Sequence, residues 1–157
     1  KNCIWNSYFL NFGVVQNPMY FPSISLVWAS RAGIARKIIN EGLVELGIID
    51  SVGQRHLYYP HGLGHHIGLD VHDKGNYEFL EPGMAITIEP GIYIPEGAKC
   101  DEKWWGIAVR IEDCILITED GSELLSDLAP RKSDEIEKLM KQSSALDAFI
   151  LPDLDKD

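Results

Sequence analysis

Four of the chain's five histidines fall in one stretch, Pro60-His61-Gly62-Leu63-Gly64-His65-His66-Ile67-Gly68-Leu69-Asp70-Val71-His72-Asp73. Imidazole is the commonest protein ligand for transition metals, and it titrates near neutral pH. The interleaved glycines allow tight turns and a close approach of backbone to a bound group. Two glutamates follow in apolar surroundings, Glu89 after Ile86-Thr87-Ile88 and Glu112 after Ala108-Val109-Arg110-Ile111. A carboxylate inside a hydrophobic strand is costly unless something balances it. Taken singly, each has a plain reading: Glu89 as an edge-strand residue facing water, Glu112 as the partner of Arg110 on one strand face. Set beside the histidine stretch, which would otherwise be a polar surface loop, the two point to a shared metal site. Histidine with carboxylate suits zinc, manganese, cobalt or iron. Carboxylates can also bridge two ions around an activated water, and one glutamate can take that water's proton as general base. The stretch contains no His-Glu-x-x-His, which excludes the helical zinc-protease motif.

The surrounding pattern supplies the elements that must position these groups. A helix is predicted from Ser30 to Ile48, where Ile34, Ala35, Ile38, Ile39 and Leu46 recur near a 3.6-residue period. Ser30 reads as its cap and Gly47 as its stop. Residues 50–60 form a connector, and residues 74–83 a loop ending in the turn Glu81-Pro82-Gly83. From Met84 to Glu89 the chain reads as a strand, with Met84, Ile86 and Ile88 on one face and Ala85, Thr87 and Glu89 on the other. Pro90-Gly91 interrupts this strand, and Ile92-Tyr93-Ile94 resumes it. One further strand is predicted from Ile107 to Thr118, its parity placing Arg110, Glu112 and Cys114 on one face. Asp120-Gly121 makes a turn. A second helix opens at Ser133 as cap, with Asp134 and Glu135 in the first turn and an apolar stripe of Ile136, Leu139 and Met140.

At 157 residues the chain is long enough for one domain with a core, and its 45% hydrophobic content is that of a soluble globular protein. A net charge of −10 argues against nucleic acid or an anionic membrane as partner. Three scattered cysteines, Cys3, Cys100 and Cys114, suggest neither a disulfide framework nor a Cys-x-x-Cys metal site, which favours a reducing, cytoplasmic compartment. Residues 8–28 are apolar and aromatic, but Asn11, Gln16, Asn17, Pro18 and Pro22 break them below the run of roughly 18 apolar residues that a membrane span needs. No signal peptide is recognisable there.

Three motifs, in this order, resemble the C-terminal catalytic half of the pita-bread metallopeptidases. They are His61-Gly62-Leu63-Gly64-His65 with Asp70-Val71-His72-Asp73, then Thr87-Ile88-Glu89-Pro90-Gly91, then Val109-Arg110-Ile111-Glu112-Asp113. Within that family the linking segment from Tyr93-Ile94-Pro95 to Trp105-Gly106-Ile107 is similar to aminopeptidase P, with prolidase the next in likeness. The resemblance covers residues 30–142; residues 1–29 show none, and 143–157 form an acidic tail. It implies an α+β fold, a partial pita-bread with a curved, mostly antiparallel sheet and outer helices. It implies His65, Glu89 and Glu112 as metal ligands, with Glu89 also the general base. His61 and His72 would contact substrate and assist the intermediate, and Arg110 would support the site beside the last ligand. The cofactors implied are two divalent ions, Mn2+ with Zn2+ or Co2+ as alternatives, and the substrate a proline-containing peptide. The full-length form is expected to be a homo-oligomer.

One departure accompanies the match. The family draws two aspartate ligands from well upstream of the histidine motif, and the only aspartate before His61 is Asp50, in the connector. The expectation is therefore a fragment, inactive alone, of an enzyme releasing the N-terminal residue ahead of proline. Two other readings stand beside it: a prolidase splitting Xaa-Pro dipeptides, and a non-catalytic pita-bread binding module. Retention of His65, Glu89 and Glu112 counts against the last, and against metal-free catalysis of the creatinase type.

Overall fold

A computed structural model of the chain describes residues 28–148, in which helix α1 (Trp28–Glu45) leads into the histidine stretch. The helix already includes Trp28, so Ser30 lies within it instead of capping it. Its buried face is Ala35, Ile39 and Leu43, one residue per turn, which join Ile48 and Ile49 in the core. Ile34, expected in that stripe, is 45% exposed. The end is where glycine predicts it. Gly47 takes a φ of 68°, its N–H reaches the Val44 carbonyl at 2.9 Å, and the Ile48 N–H reaches that of Leu43 at 2.8 Å. Those paired bonds are a Schellman closure, for which a residue without Cβ is suited.

Five short strands follow: β1 (Ala85–Ile88), β2 (Gly91–Ile94), β3 (Ile107–Arg110), β4 (Asp113–Thr118) and β5 (Gly121–Leu124). They form two antiparallel sheets, ordered β1-β4-β5 and β2-β3. The single strand expected over 107–118 is thus two, broken at Ile111-Glu112. The break faces the one at Glu89-Pro90, where proline has no N–H to donate to a ladder. Across it the register is continuous. Ile88 pairs with Asp113 and Gly91 with Arg110, so carrying the registers inward sets Glu89 opposite Glu112. The Ile111 N–H, 3.3 Å from the Pro90 carbonyl, bridges this seam. Strand β5, absent from the sequence expectation, returns along β4 after the turn at Glu119-Asp120.

The histidine stretch lies along the free edge of β1. Glu89 N–H donates to the Leu63 carbonyl (2.7 Å), Thr87 N–H to that of His65 (2.8 Å), and Ile67 N–H to that of Ala85 (2.9 Å). Leu63 itself is buried with Ile86, Ile88, Ile115 and Ile117, so the stretch is anchored by burial as well as by backbone bonds.

Past β5 the chain is clipped back onto β4. Asp113, 1% exposed, accepts from Arg131 Nε at 2.9 Å and from Ser126 Oγ, whose oxygen also takes the Cys114 N–H at 3.2 Å. Removing one partner of a buried ion pair leaves the other charge uncompensated. Arg131→Ala is therefore expected to cost about 2–3 kcal/mol, with the Ser126 bond retaining part of the stabilisation. A fall in the urea midpoint with an unchanged m-value checks it. Helix α2 (Ser133–Met140) has Lys132, not Ser133, at its N-cap position, without a side-chain capping bond, and carries Asp134 and Glu135 in its first turn as expected. The apolar stripe of Ile136, Leu139 and Met140 is exposed. Residues 1–27 and 149–157, and with them Cys3, the apolar opening segment and most of the acidic tail, lie outside the described residues.

Candidate metal centre

Three neighbouring strand-like segments converge at the seam. The His65 imidazole comes from the edge segment, Glu89 from the end of β1 and Glu112 from the gap between β3 and β4. Together they offer one nitrogen and two carboxylate oxygens within 4.8 Å of one another. His65 Nε2 lies 3.3 Å from Glu89 Oε1. Its other ring nitrogen, Nδ1, is 2.9 Å from the His66 carbonyl. A carbonyl only accepts, so Nδ1 carries a proton, and Nε2 is the ring nitrogen turned toward the carboxylates. Glu89 is buried, and Thr87 Oγ1 donates to its Oε1 at 3.0 Å while Arg110 Nη1 stands 3.4 Å from Oε2. Glu112 is exposed, although its strand context reads as buried.

The donor set fits a divalent ion. Two carboxylates set opposite each other across antiparallel strands repel, and a cation between them reverses the sign of that interaction. An imidazole nitrogen presented on the same side completes a mixed nitrogen and oxygen set, with the ligand orientations fixed by the bonds of Thr87 and the His66 carbonyl.

His61 and His72 border this cluster without entering it. The His72 ring stands edge-on to His65, centroids 4.3 Å apart. His61 belongs to a chain of hydrogen bonds whose direction is set by its ends. Arg110 Nε donates to Tyr93 Oη at 2.6 Å, so the phenol proton points to His61 Nε2 at 3.1 Å, and His61 Nδ1 donates to the Gly62 carbonyl at 2.8 Å. A side chain at Gly91 would fill this space: its Cβ would lie 2.7 Å from Tyr93 Oη and 2.9 Å from His61 Nε2.

Thr87 and Tyr93 are the site residues that the sequence reading did not single out. The signal was strand parity, since Thr87, Glu89, Gly91 and Tyr93 share one face of an almost continuous strand. The other histidines are structural. His66 is buried, stacked on Trp28 with its Nε2 2.9 Å from the Asn76 carbonyl. His56 bonds Asn40 Oδ1 at 2.9 Å, and burial, with the Arg36 charge nearby, holds its pKa below the usual imidazole range. Asp50 is exposed and stands outside the cluster. Burial pushes the Cys100 and Cys114 thiols up, away from the reactive thiolate form.

The profile of metallopeptidase family M24 matches residues 26–119. The chain is 42% identical over 134 residues to the Xaa-Pro aminopeptidase of Escherichia coli, an alignment covering 78% of this chain and 30% of that protein. It is 47% identical over 116 residues to the Xaa-Pro aminopeptidase of Haemophilus influenzae, covering 66% and 27%. Among solved structures, zinc-substituted E. coli aminopeptidase P in complex with product superposes with a TM-score of 0.72 at 35% identity, covering 86% of this chain and 33% of that one. Proline aminopeptidase P II from Yersinia pestis gives 0.71 at 34% identity, covering 87% and 34%. The α+β arrangement described above is thus part of the pita-bread fold, and the chain spans about a third or less of the length of these relatives.

Proposed function

Because the chain belongs to metallopeptidase family M24, we propose that its seam is the metal-holding part of an aminopeptidase that releases the N-terminal residue from peptides with proline in second position. The observation that carries this reading is the convergence of His65, Glu89 and Glu112 within 4.8 Å. The names of the relatives support an aminopeptidase over a prolidase. The cofactors proposed are two divalent ions, manganese first, with zinc and cobalt compatible with the same donors.

In this scheme His65, Glu89 and Glu112 would hold metal, which when bound would supply Lewis-acid polarisation and lower the pKa of water toward neutrality. The chain's own groups do the rest. Glu89 accepts the proton of the attacking water on a carboxylate oriented by Thr87 and charge-balanced by Arg110. His72, edge-on to His65, stands where it can pass a proton or donate to the developing oxyanion. His61, its Nε2 held by the Tyr93 hydroxyl, forms a fixed wall against which the substrate peptide is placed.

The test is peptide length. The full-length protein containing this chain, loaded with Mn2+, is assayed on Xaa-Pro-Yaa tripeptides and on Xaa-Pro dipeptides. Release of the first residue from the tripeptides is the expected result. Cleavage confined to dipeptides would establish a prolidase, and no cleavage with Mn2+, Co2+ or Zn2+ would leave the binding-module reading.

A further inference from the structure

Between α1 and the connector lies a cavity of about 540 Å³ lined by Arg36, Asn40, Gln54, Arg55 and His56 with Val52 and Leu57, none of them a member of the metal cluster. We propose that this cavity is a second binding site, for a small anion presenting carboxylate or phosphate oxygens. The argument is one of donors and acceptors. Asn40 Oδ1 is engaged by His56 Nε2 at 2.9 Å, which leaves His56 Nδ1 to accept the Tyr58 N–H at 3.1 Å. Gln54 Oε1 is taken by the Asp50 N–H at 2.7 Å. The side-chain acceptors on the lining are thus engaged, and what remains are donors: both guanidinium groups, the Gln54 amide N–H groups, and the second hydrogen of Asn40 Nδ2, whose first goes to the Val52 carbonyl at 2.7 Å.

Charge points the same way. Among the described residues no carboxylate stands within ion-pair reach of Arg36 or Arg55, and no acidic side chain lines the cavity. In a chain of net charge −10, two arginines that line one cavity without an ion-pair partner are a local excess of positive charge on its wall. The floor is rigid, because Asn40 is buried and fixed at both ends of its amide. Arg36 is held in place by its contact with the Tyr59 ring, 5.0 Å from the centroid. Planar guanidinium forks over a fixed donor floor match the geometry of oxyanions.

The experiment is titration of the metal-free protein with sodium phosphate, sodium acetate and, as an ionic-strength control, sodium chloride. It is followed by NMR of the His56 ring and of the Arg36, Arg55 and Gln54 side-chain N–H signals. The expected result is saturable shifts at these groups with phosphate or acetate and not with chloride, with His65 and His72 unmoved. Arg36→Gln and Arg55→Gln are each expected to weaken binding at least about tenfold, the loss of one charge-assisted contact. Stronger binding of phosphate assigns the site to a phosphorylated ligand, stronger binding of acetate to a carboxylate. Shifts that match those of chloride, that do not saturate, or that persist in the Arg36→Gln/Arg55→Gln double variant overturn the proposal. The readout involves neither metal nor peptide cleavage, so its failure is separate from failure of the aminopeptidase reading.

Discussion

In the metal-loaded, full-length protein, His65→Ala is expected to lower bound metal and activity together, whereas His72→Ala keeps near-normal metal and loses rate by about 10²–10⁴-fold. The two rings are only 4.3 Å apart, so proximity alone does not separate their roles. What separates them is how each is held. His65 is fixed by its own backbone and ring bonds, its N–H to Thr87 Oγ1 at 2.9 Å and its Nδ1 to the His66 carbonyl, and it faces two carboxylates. His72 sits on an exposed loop, held through Asp73, whose carboxylate takes the N–H groups of Leu69 at 2.9 Å and Lys74 at 2.8 Å. That arrangement suits a group that moves protons more than one that anchors an ion. Metal analysis of both purified variants decides the matter. If His72→Ala loses metal while His65→Ala keeps it, the assignment is reversed.

The largest effect on stability is expected at a residue with no side chain. Gly64 passes so close to β1 that a Cβ there would lie 2.0 Å from the Thr87 carbonyl oxygen. The obstacle is backbone inside a sheet, which cannot swing aside as a side-chain tip would. Gly64→Ala must therefore push the histidine segment off β1, breaking the Thr87–His65 and Glu89–Leu63 bonds that deliver the ligands. A cost of about 2–4 kcal/mol follows, or roughly 5–15 °C in Tm for a chain of this size. Gly62→Ala is the control, since nothing lies within 4 Å of a Cβ at that position, and its Tm is expected to stay within about 2 °C of the parent. Equal losses for the two variants in thermal unfolding would show that the contact is not what makes Gly64 necessary.

The sequence carried the site's chemistry more clearly than its architecture. His65, Glu89 and Glu112 were legible because acidic residues in apolar strands are costly, and because the glycine-flanked histidines precede them. Strand parity also survived: Arg110, Glu112 and Cys114 lie on the more exposed side of a strand whose alternate residues, Val109 to Ile117, are the more buried. The break at Ile111-Glu112 was not legible, since a run of β-branched residues gives no local reason to stop; the reason is Pro90 on the opposite strand. Glu112 reads as buried for the same cause. Nor could the exposed stripe of α2 be foreseen, because periodicity tells which residues share a face and not whether anything covers it. Asp113, next to the candidate ligand, finds Arg131 and Ser126 from far along the chain, which no local pattern foretells.

The interrupted ladder also bears on how the chain reaches its fold. His65, Glu89 and Glu112 are each more than twenty residues apart in sequence, yet they become adjacent only when three strands lie in register. A one-residue slip of β1 against β4 would turn Glu89 to the opposite face and dissolve the cluster. An ion that binds the aligned strands and not the slipped ones therefore acts as a register proof-reader. It adds about 1.4 kcal/mol to the correct pairing for each tenfold rise in its free concentration above the dissociation constant. At the seam itself, where backbone hydrogen bonding is thinnest, alignment is left to the side chains and to whatever they hold.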